Sequence, residues 1–157
     1  MLIDSKKMFR KYHSEIISKP VEQAVTACGI IIHNNKVLAV QRAGNEPDSP
    51  AKWVLPGGKK EKFENIEDAV LREVLEETEL KTKVECVSTV FNFQILKEDC
   101  VRDTTQVNFA LTVKGTVKVK LNEEHDAFKW LAEDEVDNST LSIRVKESIH
   151  RAFKLLA

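Results

Sequence analysis

Residues 58–80 read GKKEKFENIEDAVLREVLEETEL, and the reading of this stretch decides the fold. Ile66, Ala69, Val70 and Val74 recur at helical spacing, which predicts an amphipathic helix over 66–78. Asn65 stands at the N-cap position, with Asp68 three residues on in a capping-box-like arrangement. The segment is strongly acidic, carrying Glu64, Glu67, Asp68, Glu73, Glu76, Glu77 and Glu79. Glu73, Glu76 and Glu77 lie at i, i+3 and i+4 and therefore share one face. Like charges at these spacings destabilise a helix by roughly a few tenths of a kcal/mol per pair. Arg72 reaches Glu76 at i+4, but it is one cation against three anions. A hard divalent cation resolves the conflict. Mg²⁺ takes oxygen ligands in a near-octahedral shell and keeps several waters, which leaves room for substrate phosphates. A solvated acidic face is the competing reading, and the residues flanking the helix weigh against it.

Upstream the pattern is one of strands. Residues 22–33 are rich in Val, Ala and Ile, and 36–42 (KVLAVQR) alternate apolar with other side chains. Asn34-Asn35 between them suits the positive φ of a tight hairpin turn. A polar loop runs from Gly44 to Pro50, and Trp53-Val54-Leu55 is stopped by Pro56-Gly57-Gly58. Downstream, strands are expected around 84–95 and 105–114, with short ones at 116–120 and 128–131. A closing helix from about 140 follows from the spacing of Leu141, Val145, Ile149, Ala152, Phe153 and Leu156. A mixed sheet with one helix in the middle and one at the end implies an α+β domain layered as an α/β/α sandwich.

The bulk numbers bound the function. At 157 residues the chain suits one domain over residues 21–157, preceded by a segment at 1–20. In that segment Met8, Tyr12 and Ile16 stand at four-residue steps beside Lys6, Lys7, Arg10 and Lys11. It is expected to form a short amphipathic helix used for packing or a dimer contact rather than for targeting. Lys plus Arg (24) nearly balance Asp plus Glu (25), so no bulk field favours nucleic acid or an acidic membrane. The three cysteines, Cys28, Cys86 and Cys100, are widely spaced and odd in number, which argues against a disulfide framework and a thiolate zinc site. With no membrane-span-length apolar run and no signal-peptide core, the chain is expected to be cytoplasmic, as a monomer or homodimer.

From Gly58 onward the stretch resembles the Nudix box, G-x5-E-x7-R-E-U-x-E-E-x-G-U, where U is a bulky aliphatic. Gly58, Glu64, Arg72, Glu73, Val74, Glu76, Glu77 and Leu80 match it. At average residue frequencies the six Gly, Glu and Arg positions coincide by chance in roughly one chain in ten thousand or fewer. The order of the flanking elements, a KVLAVQR strand, W-x-LPGG, the box, two strands and a terminal helix, is similar to the same family over roughly residues 22–157. The resemblance implies a Nudix-type fold and a MutT-like Mg²⁺-dependent hydrolase, with Mn²⁺ able to replace Mg²⁺. One position departs: the family places glycine where this chain has Glu79. A left-handed helix end there penalises Glu by about 1 kcal/mol, so either Glu79 is strained or the helix ends differently.

By the resemblance Glu73, Glu76 and Glu77 are metal ligands, Glu64 binds a second ion or holds the loop, and the Gly58 carbonyl completes a shell. Arg72 orients and neutralises a glutamate, and Glu73 or Glu76 serves as general base. The Glu124-His125-x4-Trp130 segment resembles loops of several Nudix subfamilies that meet the metal centre. Glu124 is the candidate extra ligand or base; His125 is a candidate substrate contact or base, with a solvated histidine the preferred alternative. Trp130 reads as core. Arg42 is a candidate phosphate contact. Phe91 and Phe93 alternate on a strand; core packing leads, and Phe93 is kept as a candidate for stacking on a base. The substrate implied is a small nucleotide-like phosphoanhydride, either a nucleoside triphosphate or another nucleoside diphosphate derivative. Dinucleoside polyphosphates and nucleotide sugars are the alternatives within the enzyme class. A non-catalytic nucleotide sensor is the alternative outside it, and the retention of every box glutamate speaks against that.

Overall fold

The computed structural model describes residues 2–3, 18–47 and 49–157. The elements are β1 (Leu2–Ile3), β2 (Val21–His33), β3 (Lys36–Arg42), β4 (Trp53–Val54), β5 (Gly57–Lys59), α1 (Ile66–Thr78), β6 (Thr82–Leu96), β7 (Val101–Val113), β8 (His125–Ala132), α2 (Glu133–Val136) and α3 (Ile143–Leu156). The stretch expected to form an amphipathic helix before Pro20 lies, over residues 4–17, outside the described residues; ahead of it, β1 pairs with the end of β6.

Local sequence explains where the elements start and stop. Asn34 and Asn35 take φ of 49° and 56°, the paired positive values that a two-residue hairpin requires, and they join β2 to β3. The Asn65 side chain accepts the Glu67 backbone N–H and caps α1, while Ser142 does the same for α3 through Val145 N. At its other end α1 does close on Glu79 in the left-handed conformation, φ 56° and ψ 12°. The strand expected at 116–120 does not form. Val117 and Val119 instead pack as partly buried side chains against the core from an irregular segment.

The strands form one mixed sheet in the order β1-β6-β7-β2-β3-β4, with β5 joined to β2 and β8 to β3. β2 and β7 run parallel; the other pairs are antiparallel. Helices cover both faces. Val70, Val74 and Ala69 of α1 pack with Ala27, Ile31, Phe109 and Leu111 on one side. Ile149 and Ala152 of α3 pack with Ile30, Val37, Ala39 and Ala110 on the other. Covering on both faces explains why Val37 to Val40 are all fully buried, without the alternation of a half-exposed strand. The result is the α/β/α sandwich expected.

Candidate functional site

The site is built where α1 meets β5. β5 pairs with β2 through Ala27↔Gly58 and Cys28↔Gly57, which lays the Gly57-Gly58 backbone beside the last turns of the acidic helix. Glu77 is only 4% exposed, and its Oε2 accepts the Gly57 N–H at 2.9 Å. A side chain at Gly58 would drive its Cβ into the Glu73 carboxylate, so glycine is what admits that carboxylate to this position.

Arg72 binds differently from the expected i,i+4 partner. Its Nε and Nη2 grip both oxygens of Glu64 at 2.8 and 3.0 Å, and its Nη1 reaches Glu73 Oε1 at 2.7 Å. Glu76, more than half exposed, is a weak third contact at 3.4 Å. The planar guanidinium fork suits such bidentate pairing. It ties the loop before α1 to the helix and holds the Glu64 carboxyl down at about 2, mainly through its own hydrogen bond.

Glu73 shares Arg72 with Glu64, whereas Glu77 has no Lys or Arg within ion-pair distance among the described residues. Burial pushes Glu77 up to about 8; the Gly57 N–H opposes the shift, while Glu73 and Glu124 add to it. Burial also raises Glu73, against the pull of Arg72 and with the push of Glu76 and Glu124. Two desolvated carboxylates raised in this way, beside a backbone cradle and an all-oxygen donor set, fit a hard divalent cation. As the side chains stand, no three described His, Cys, Asp or Glu groups converge at ligating distance, because Glu64 and Glu73 are turned onto Arg72.

The loop residues gather round the same carboxylates. Glu124 is exposed, and its carbonyl is held by the Ala43 N–H at 2.8 Å. His125 is not solvated. At 6% exposure it sits under the loop, Nδ1 3.2 Å from Asn122 Oδ1 and Nε2 3.9 Å from Glu77 Oε2. Burial, then the Arg42 charge, lowers its pKa and keeps the ring neutral. Arg42 pairs with Glu46 at 2.9 Å, while its buried Nε has no partner among the described residues.

A cavity of about 790 Å³ opens from this cluster. Gly57, Gly58, Arg42 and His125 line its near end, and Phe91, Phe93 and Arg144 its far end. Phe91 and Phe93 are therefore cavity walls and not core. Trp130 does pack against the core, tilted over His33 with ring centroids 6.1 Å apart. The structure also adds residues that sequence reading passed over: Trp53, carrying Lys129 Nζ 4.1 Å above its ring, and Cys28, whose thiol burial pushes up to about 12. Only the W-x-LPGG pattern hinted at Trp53.

A mixed sheet between helices, with a loop–helix carrying these carboxylates, defines the class of the Nudix hydrolases. The NUDIX domain model matches residues 23–153, and the chain belongs to this family of enzymes. It is 29% identical over 129 residues to a MutT-like protein of Streptomyces ambofaciens, covering 82% of this chain and 76% of that one. It is 38% identical over 90 residues to an ADP-ribose pyrophosphatase of Methanocaldococcus jannaschii, covering 56% of this chain and 51% of the relative, about half its length. The crystal structure of a MutT protein from Methanosarcina mazei Go1 superposes with a TM-score of 0.68 at 23% identity, over 88% of this chain and 97% of that one, and shares the fold.

Proposed function

We propose that the protein is a Mg²⁺-dependent pyrophosphohydrolase acting on a nucleoside triphosphate or another nucleoside diphosphate derivative, with Mn²⁺ able to substitute. One observation carries this reading: the buried Glu77 carboxylate and the half-buried Glu73 carboxylate face the Gly57-Gly58 backbone, which lines a cavity of about 790 Å³. Relatives named as a MutT-like protein and an ADP-ribose pyrophosphatase support the substrate class.

In this reading Glu73, Glu76 and Glu77 hold the cation with the Gly58 carbonyl. Glu64 holds Arg72, and Arg72 orients Glu73. A bound divalent cation supplies charge neutralisation on the phosphate oxygens and activation of water. Glu124 serves as extra ligand or base, and its charge already reaches Glu73 and Glu77. Arg42, with one buried N–H donor unpartnered among the described residues, offers that donor to a phosphate oxygen. His125, neutral and buried, shapes the near wall. The three free cysteines suit a reducing cytoplasm, and the functional unit is a monomer or homodimer.

A panel of nucleoside triphosphates, nucleotide sugars and dinucleoside polyphosphates, assayed with Mg²⁺ and with chelator, tests the reading. At least one member is hydrolysed only with the metal, and Glu76→Gln lowers kcat by about 100-fold or more. If no member is cut, the protein is a nucleotide-binding module and the catalytic assignment fails.

A further inference from the structure

The charged side chains that line the cavity are all cations: Arg42, Lys52, Lys59, Arg102 and Arg144. The whole chain is nearly neutral, with 24 Lys and Arg against 25 Asp and Glu, so the bias is local. Part of it is already matched. Arg42 pairs with Glu46 at 2.9 Å, and Arg102 and Lys59 share Glu22 at 3.0 and 3.5 Å. Arg144 and Lys52 meet no carboxylate among the described residues.

Arg144 stands in the first turn of α3, at the end of the cavity remote from Gly58. Its Nη1 donates to the Asn92 carbonyl at 2.8 Å, and its guanidinium lies 5.4 Å from the centre of the Phe91 ring. The rest of the planar fork remains available at the cavity wall. The same wall carries the helix N-terminus itself. Ser142 caps it by accepting the Val145 N–H at 3.4 Å, while the Ile143 and Arg144 N–H groups have no acceptor within the helix. Partial positive charge gathers at such an end and favours an anion.

The floor beneath singles out a ligand. β7 lies between β6 and β2, so Gln106 stands between Phe91 and Thr26, and two residues along β7 Thr104 lies opposite Phe93. Thr104 lines the cavity at 2% exposure, and its Oγ1 has no hydrogen-bond partner among the described residues. A buried hydroxyl without a partner costs stability, so it marks a place where a bound group supplies the missing bond. Asn92, whose carbonyl holds Arg144, precedes Phe93 on β6, which sets Thr104 and Arg144 at the same end of the cavity.

We infer that this end of the cavity is a second anion subsite and that the preferred substrate carries an acidic group beyond its diphosphate. Arg144 and the α3 N-terminus hold that group, and Thr104 donates its hydroxyl to it. The chemistry recognised is a phosphomonoester or a carboxylate, since either presents the acceptor oxygens that a guanidinium fork and a row of N–H groups bind. Lys52, exposed on the cavity wall, adds to the attracting field. The assignment rests on the proposed hydrolase reading in one respect, that the diphosphate of the same molecule lies at Gly58.

Calorimetric titration of matched probes in the presence of chelator tests it. AMP is compared with adenosine 2′,5′-bisphosphate and adenosine 3′,5′-bisphosphate for the phosphomonoester, and UDP-glucose with UDP-glucuronate for the carboxylate. In one of these arms the probe with the extra acid binds about tenfold or more tightly than its parent. Arg144→Gln keeps a donor for the Asn92 carbonyl but removes the charge, and it brings that ratio below about threefold. Thr104→Val, nearly isosteric, lowers the same ratio by about threefold. Ratios within about twofold in both arms overturn the inference, as does a ratio that survives either substitution or a failure of every probe to bind. Binding is read without turnover. Absence of cleavage therefore ends the hydrolase reading and leaves these ratios standing, whereas equal binding within each pair ends the subsite and leaves hydrolysis untouched.

Discussion

Glu77, in the last turn of α1, and Glu79, which caps it, oppose folding for different reasons. Glu79 ends the helix with a left-handed backbone, its N–H bonded to Leu75 O at 2.9 Å. Its ion pair with Lys120, 2.7 Å long but solvent-exposed, offsets little of the strain. Glu79→Gly is expected to stabilise the protein by about 0.5–1 kcal/mol in urea denaturation; a loss would show that the Lys120 pair outweighs the backbone. Glu77 instead suffers from burial. Its folded-state pKa of about 8 lies above the ordinary carboxylate value of 4.5. Between those pH values the folded chain keeps a proton that the unfolded chain has released, so stability falls as pH rises through this window. In chelator, Glu77→Gln therefore raises Tm more at pH 8.5 than at pH 5, each kcal/mol counting for about 2–4 °C in a chain of this size. Added Mg²⁺ reverses the order, stabilising the wild type and not the variant. Calorimetric scans at the two pH values read both effects, and a pH-independent difference would remove Glu77 from the carboxylate cluster.

At the scale of elements, the short α2 is clasped to α3 by one histidine. His150 reaches Asp137 Oδ1 at 2.8 Å through Nε2 and Glu133 Oε1 at 3.4 Å through Nδ1. The Asp137 bond chiefly raises its pKa above 6.5, so the clasp is fully present below that pH and is lost as pH rises through the folded value. The Tm difference between wild type and His150→Asn is expected to be larger at pH 5.5 than at pH 8.5. An equal difference at both would assign the contact to packing. Elements with strong local signals were legible beforehand: α1 between its Asn65 cap and Thr78, the Asn34-Asn35 hairpin, and the closing helix. Alternating valines at 116–120 suit a strand, yet no edge in the sheet receives them, and the segment stays irregular. A charged loop sequence suggests a solvated His125 and does not reveal that the ring turns inward.

Across the whole molecule, the distance between the acidic helix and the sheet is set at Gly29. A Cβ there would lie 2.7 Å from Leu111 Cδ1 and 2.8 Å from Val74 Cγ2, and Val74 belongs to α1. Gly29→Ala is expected to cost about 1–3 kcal/mol by overpacking and to lower kcat, because it pushes Glu73 and Glu77 off the Gly57-Gly58 cradle. Full activity in a destabilised variant would show that the cradle tolerates the shift. The sequence by itself determined the sandwich class, the acidic helix and its family pattern, since these depend on spacing within a few turns of chain. Only the tertiary structure decided that Arg72 serves Glu64 and Glu73 more than Glu76, and that Glu77 is the buried carboxylate. It alone also set Thr26, Gln106 and Phe91 side by side under one cavity. Those outcomes depend on strand register and burial between segments far apart in the chain, where no local spacing rule reaches.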